Sequence, residues 1–536
     1  MAWNFGDLLD AISTVIPPDA PALIHGDRVI SWGETTRRSN NLARALIHRG
    51  AKPRAKVAFY MRNRPEYCET LAACFKARLT HVNVNYRYKP EEVFYIFDNS
   101  DAQTVVYGSE FRDTIAEIRP RLTKVQNFVE VTDDGSPADF ALNYEALVAE
   151  GNGTPVAIER SPQDEFFIYT GGTTGMPKGV IWTHDDLRET SLVALRKLGP
   201  VPENTEQVVE AIRAAGPGNR MIPACPLMHG TGLLMALNTM LGGGLVITLK
   251  HHSFNAHELF EAVQKNKAMT LVIVGDAFAK PMLNALNEQP GRYDTSSIVN
   301  MVSSGVMWSR EVKQGLLTHI PQAILVDSFG SSEAVGFGTS MMTKDGEVQT
   351  AKFQIGDRCK VFDEDNRPVE PGSGKPGIIA MSPPIPVGYY KDEKKTAETF
   401  RTINGVRYSM PGDWCVVEKD GTLTLLGRGS VCINTAGEKV YPEEVEETLK
   451  LHPTVEDALV VGVPDDKWGQ AVTAVVTVTS RDDFREDDIR QHVHQRLAGY
   501  KTPKHVLIAG VSLRASNGKA DYKSALEFAK RELGIA

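Results

Sequence analysis

The chain has 536 residues, too many for a single hydrophobic core, so two or more domains are expected, each able to bury ample apolar surface. Lys plus Arg number 59 against 67 Asp plus Glu, a formal charge of −8 with no basic run, which argues against nucleic-acid binding through phosphates. The opening Met1-Ala-Trp-Asn-Phe-Gly-Asp-Leu-Leu-Asp10 lacks the basic and apolar regions of a secretory signal, and no apolar stretch approaches the roughly 20 residues that cross a bilayer.

Through the first four hundred residues, short apolar runs alternate with amphipathic stretches. Lys56–Tyr60 precedes Pro65–Ala77, Thr104–Tyr107 precedes Phe111–Ile118, and Thr270–Val274 precedes Ala279–Leu286. Strand-then-helix alternation predicts layered α/β subdomains. From about Gln354 to Leu426 the pattern turns to short strands broken at Pro371-Gly372, Pro411-Gly412 and Asp420-Gly421, which predicts a small β subdomain. Beyond Gly427-Arg428-Gly429-Ser430 come a helix near Pro442–Leu451, strands near Ala458–Gly462 and Ala471–Val478, and a helix near Asp487–Leu497, a compact α+β unit. The fold class is therefore α/β multidomain: an N-terminal domain over 1–427, a hinge over 428–432 and a small mobile α+β domain over 433–536. Cys68, Cys74, Cys225, Cys359, Cys415 and Cys432 are scattered without a CxxC pair and read as reduced, buried small hydrophobes of a cytoplasmic protein.

The strongest chemical signal is Tyr169-Thr-Gly-Gly-Thr-Thr-Gly-Met-Pro-Lys-Gly179, directly after the apolar Phe166-Phe-Ile168. Glycines at 171, 172, 175 and 179 let backbone approach an anion. The hydroxyls of Thr170, Thr173 and Thr174 can donate to phosphate oxygens, and Lys178 adds a point charge. It is a phosphate loop but not a Walker A loop, because Pro177 stands where Gly must precede Lys.

This loop resembles the signature of the superfamily of acyl-CoA synthetases, peptide-synthetase adenylation domains and beetle luciferases, with Gly171 where Ser or Thr is usual. Further motifs resemble that family in order from about residue 20 to 525. Asp327-Ser-Phe-Gly-Ser-Ser-Glu333 is similar to its adenine and metal segment. The resemblance implies Phe329 on the purine beside Gly330, Asp327 accepting from the adenine amine, Ser332 donating to the α-phosphate, and Glu333 with Thr170 holding Mg²⁺. The bland alternative for Ser331-Ser-Glu333 is a helix N-cap with an acidic first turn. Ser303-Ser-Gly305-Val306 resembles the adenine-lining turn.

Tyr408-Ser-Met-Pro-Gly-Asp413 resembles the ribose segment, which gives Asp413 the ribose hydroxyls and Arg428 the ribose and phosphate. Ser430 stands at the hinge pivot where Asp or Lys is usual. Thr435–Glu446 is similar to the segment lining the pantetheine tunnel, with Gly437 and Lys439 as CoA contacts. Ser516-Asn-Gly-Lys519 resembles the terminal motif whose lysine catalyses adenylation, although Asn-Gly-Lys by itself is an ordinary solvated turn.

Pro226-Leu-Met-His229-Gly230-Thr-Gly232 resembles the motif guarding the acyl pocket, where His229 is either a gate or a core histidine. Met221 to Val246 contains no Asp, Glu, Lys or Arg, so a wall built from it could not pair an amino-acid ammonium. A buried core helix has the same composition, so this only demotes amino acids as substrates. Val387–Lys395, Gly427–Asn434, Asn517–Tyr522 and the polar Gly199–Asn219 look most like bacterial fatty-acyl and steroid-side-chain CoA ligases. The implied reaction is ATP-dependent activation of an apolar carboxylate to acyl-AMP and transfer to CoA. The catalytic residues would be Lys519, Glu333 and His229. Loading of a separate carrier protein, or a non-catalytic binding homologue, would use the same fold, and homodimerisation is left open.

Overall fold

The computed structural model describes residues 3–133, 135–170, 176–196, 199–216, 218–305, 308–346, 352–428, 431–435, 438–465, 469–497, 499–510, 512–514 and 520–535. Two compact units result: Met1–Thr350 with Pro383–Arg401, and Ala351–Ser382 with Thr402–Ala536.

The expected alternation is realised in the first unit, where Lys56–Tyr60 is followed by helix Pro65–Lys76, and Thr270–Ile273 by helix Asp276–Glu288. Pro65 suits a first helical turn because its missing N–H would have no partner there. One sheet runs in the order Gly388–Tyr389, Lys178–Thr183, Glu165–Thr170, Thr80–Asn83, Lys56–Tyr60, Ala102–Gly108, Asn127–Val131 and Leu142–Asn143. A second carries Pro21–His25, Leu245–Thr248, Arg220–Pro223, Thr270–Ile273, Asn300–Ser304 and Ile324–Ser331 as parallel neighbours, then Ala334–Met342 antiparallel. The central strands are near-continuous apolar runs because helices cover both faces. Separate cores form on the two sheets, one around Ile222, Phe260, Leu271 and Trp308, the other around Ala58, Val82, Phe97 and Phe167.

In the second unit, short antiparallel strands occupy 352–382 and 402–428, and the long hairpin Val455–Asp465 with Gly469–Val478 buries a core on each face. The β subdomain expected over 354–426 is interrupted: Pro383–Arg401 belongs to the first unit. Its strand Gly388–Tyr389 pairs with Val180 and Ile181, and the Tyr390 hydroxyl donates to Asp101 at 2.6 Å. Pro-Gly and Asp-Gly punctuation marks turns but does not say which sheet a strand joins; here the pairing with Val180 and Ile181 and the Tyr390–Asp101 bond place it. Five cysteines are buried and Cys432 is half-buried. No described helix is long and apolar enough to cross a membrane.

Candidate active site

Strands Glu165–Thr170 and Lys178–Thr183 are antiparallel, with Tyr169 opposite Gly179 and Thr170 opposite Lys178. Lys178, expected to serve a phosphate loop, thus opens a strand, whereas a Walker A lysine opens a helix. Gly171, Gly172, Thr173, Thr174 and Gly175 lie outside the described residues. Gly179 has a packing reason to be small: a Cβ there would lie 2.7 Å from the Tyr169 ring across the strand pair. Lys178 forms an ion pair with Asp392, which caps helix Glu393–Thr399 by accepting from the Lys395 N–H at 2.9 Å. The Lys178 bond holds the Asp392 carboxyl below the usual range. Beside the pair lies a cavity of about 200 Å³ lined also by Tyr95, Tyr390 and Lys391.

Ile324–Ser331 and Ala334–Met342 form a hairpin, so Ser332 and Glu333 occupy its tip. The helix N-cap alternative for Ser331–Glu333 is therefore wrong. The strand continues because Gly330 lets the two arms close: a Cβ there would meet the Gly336 nitrogen at 2.9 Å and the Ala334 oxygen at 3.0 Å. Two contacts tie this tip to strand Lys178–Thr183 and to its neighbour Gly388–Tyr389. The Trp182 indole N–H donates to the Ser332 carbonyl at 2.9 Å, and the Tyr389 hydroxyl donates to Glu333 Oε1 at 2.7 Å. Glu333 is 8% exposed and Tyr389 likewise 8%. Phe329 lies tilted against Phe337, with ring centres 5.3 Å apart.

Asp327, expected to accept from adenine, also carries the ammonium of buried Lys313. Burial pushes the Asp327 carboxyl up against the downward pull of Lys313. Gly305 has φ +86° with open space where a Cβ would be, and the preceding Ser303 is fully buried, accepting from the Gly275 N–H at 2.9 Å.

His229 is half-buried at the N-cap of helix Gly230–Leu241. Gly232 is buried where a Cβ would meet the Pro226 carbonyl at 2.8 Å, whereas Gly230 faces open space.

In the second unit, Asp413 is buried and stands in register with Arg428 on the neighbouring strand. Both expected ribose residues thus share one strand pair, although only the backbone of Arg428, like that of Lys439, is described. Gly437 and Lys519 lie outside the described residues; Arg514 and Ala520, which flank the Lys519 motif, form an isolated antiparallel bridge.

Sequence reading missed Trp182, Lys313, Tyr389 and Asp392. Only Lys313 had a signal, a lysine beside Val312, Leu316 and Leu317 on an amphipathic helix. Among the described residues, no three or more His, Cys, Asp or Glu side chains gather as a metal site. A single buried carboxylate at Glu333 suits a hard cation that takes its remaining oxygens from phosphates and water.

The first unit thus ties a carboxylate-tipped hairpin to the antiparallel strand pair that flanks residues 171–175. The "AMP-binding enzyme" family model matches residues 14–390, and the "AMP-binding enzyme C-terminal domain" model matches 444–519. The chain belongs to the AMP-binding enzyme family.

Among its relatives, the 3-oxocholest-4-en-26-oate–CoA ligase of Rhodococcus rhodochrous is 39% identical, over 100% of this chain and 97% of that protein. The medium/long-chain-fatty-acid–CoA/3-oxocholest-4-en-26-oate–CoA ligase of Mycobacterium tuberculosis is 39% identical over 98% of this chain and 96% of its own. The fold is shared with the anthranilate CoA ligase AuaEII in complex with anthranoyl-AMP (TM-score 0.84, 20% identity, 100% of this chain and 98% of that one). It is shared also with a Mycobacterium tuberculosis fatty acyl CoA synthetase (TM-score 0.73, 21% identity, 99% of each).

Proposed function

We propose that this chain is an AMP-forming acyl-CoA ligase that activates an apolar carboxylic acid, a medium- or long-chain fatty acid or a steroid side-chain carboxylate. The observation that carries the reading is the Glu333 hairpin tip, bound through Trp182 and Tyr389 to the strand that Lys178 begins. That arrangement ties a buried carboxylate to the strand that begins with the phosphate-loop lysine, and nucleotide polyphosphate chemistry uses both kinds of group. The 39% relatives support the choice of acid and of CoA as acceptor.

In this reading Thr170, Lys178 and the glycine-threonine loop hold ATP phosphates, Phe329 and Gly305 border the adenine, and Asp413 with Arg428 takes the ribose. Lys313 sets the charge around Asp327, so the adenine contact there works beside an ion pair. Glu333 and Thr170 would hold Mg²⁺, which neutralises phosphate charge when bound. The charge-free wall that follows His229 receives the acyl chain. Lys519 stabilises charge as the carboxylate attacks the α-phosphorus and pyrophosphate leaves. The C-terminal domain then turns about 428–432, withdrawing Lys519 and presenting Gly437 and Lys439 to CoA, whose thiolate attacks the acyl carbonyl and displaces AMP. Shielding of the mixed anhydride between the two steps limits its hydrolysis.

The test is CoA-dependent AMP release with a panel of short, medium, long and steroid carboxylates. Thioester from the apolar acids is expected. Adenylation without CoA consumption would overturn the CoA assignment, and preference for amino acids would overturn the acyl assignment.

A further inference from the structure

Two asparagines of the first unit hold the turn before His229, and one of them, Asn83, ties it to the strand that ends at Thr170. Asn83 ends strand Thr80–Asn83, which lies parallel to Glu165–Thr170. Its side chain extends that pairing as a peptide group would: Oδ1 accepts from the Tyr169 N–H at 2.7 Å, and Nδ2 donates to the Tyr169 carbonyl at 2.9 Å. Nδ2 donates also to the Met228 carbonyl at 2.7 Å, one residue before His229. Both amide hydrogens and the amide oxygen are engaged, and the residue is 4% exposed. Because the oxygen must face an N–H and the nitrogen two carbonyls, the amide has one orientation.

Asn63 grips the same turn further upstream. Its Nδ2 donates to the carbonyls of Pro223 and Cys225 at 3.1 and 3.0 Å, and its Oδ1 accepts from the Leu227 N–H at 2.7 Å. The turn closes on itself through the His229 N–H to the Pro226 carbonyl at 3.2 Å. The fully satisfied, buried Asn83 amide fixes the relative position of the two segments it joins, since any shift leaves polar groups without partners, while half-buried Asn63 holds the shape of the turn itself.

We propose that Asn83, supported by Asn63, is a positioning residue that sets the separation between the nucleotide-phosphate stem at Thr170 and the acyl-side turn at His229 during adenylation. The inference rests on the acyl-adenylate reading above. It predicts a particular asymmetry between the half-reactions. Before adenylation the carboxylate and the α-phosphate belong to two molecules, so protein geometry alone aligns them, and small misplacements are costly to rate. In acyl-AMP they are covalently joined, and that alignment no longer depends on the turn.

The experiment compares wild type, Asn83→Ala and Asn63→Ala with dodecanoate and ATP, and separately with synthetic dodecanoyl-AMP and CoA. Pyrophosphate release, thioester formation and thermal melting are followed. Each variant is expected to lose roughly tenfold or more in kcat of pyrophosphate release, with KM for ATP little changed and thioester formation from dodecanoyl-AMP near wild type. Equal losses in both half-reactions, no loss in either, or unfolding of both variants would overturn the positioning role while leaving the ligase reading intact. A wild type that releases no pyrophosphate and makes no thioester with any acid of the panel would instead overturn the ligase reading.

Discussion

Tyr389 is the side chain on which the placement of Glu333 most directly turns, and Tyr389→Phe isolates its hydroxyl. The ring remains, and with it the packing on Phe400 at 5.8 Å between centres and the strand pairing to Val180. What disappears is one hydrogen bond of 2.7 Å from a neutral donor to a buried carboxylate. Bonds to charged groups contribute about 1.5–3 kcal/mol. If that were expressed wholly in the transition state, the rate of adenylation would fall about ten- to a hundredfold. If part is expressed in stability, the rate effect shrinks and the melting temperature falls instead. Pyrophosphate release is therefore measured across a Mg²⁺ titration, alongside thermal unfolding. The expected result is a lower maximal rate with a raised Mg²⁺ requirement. A rate and Mg²⁺ midpoint both within twofold of wild type, without loss of stability, would refute the assignment of Glu333 to the metal and of Tyr389 to its orientation.

Two further outcomes follow from charged groups. The Lys178–Asp392 pair is partly exposed on both sides, so it contributes about 0–1 kcal/mol, and Asp392→Asn preserves the helix cap while releasing the ammonium. The KM for ATP should fall by up to about fivefold, the equivalent of about 1 kcal/mol, with little change in melting; a rise would mean that the carboxylate orients Lys178 rather than competing with phosphate. In the second unit, Glu446 accepts from the Val460 N–H at 2.9 Å and from the Tyr522 hydroxyl at 3.2 Å, and burial pushes its carboxyl up from 4.5 to about 8 against the pull of Lys450. Between those values the folded state keeps a proton that the unfolded chain releases, so stability declines as pH rises through this window. Glu446→Gln should match wild type near pH 5 and melt several degrees higher near pH 8; an identical pH slope in both proteins would refute the buried titration.

Local composition marked one candidate strongly. The glycine-threonine run at 169–179 has the residue types that anion approach requires, whereas the roles of Asp327–Glu333 came from resemblance to the family, and the charge-free stretch around His229 is equally that of a core helix. Strand and helix alternation was legible because periodic burial is written along the chain. The small β region was read as continuous, and Ser331–Glu333 had a helix alternative, because turn residues and caps draw on the same amino acids.

Sequence by itself thus determined the family to which the protein belongs and the residues that its motifs nominate for a nucleotide and an acid. Only the tertiary structure decided their partners. Tyr389 meets Glu333 across 56 positions, Lys178 meets Asp392 across 214, and Asn83 meets Met228 across 145. Such contacts arise when sheets bring distant strand ends together, and their energies depend on burial and angle rather than on neighbouring residues. No periodicity or local motif records them.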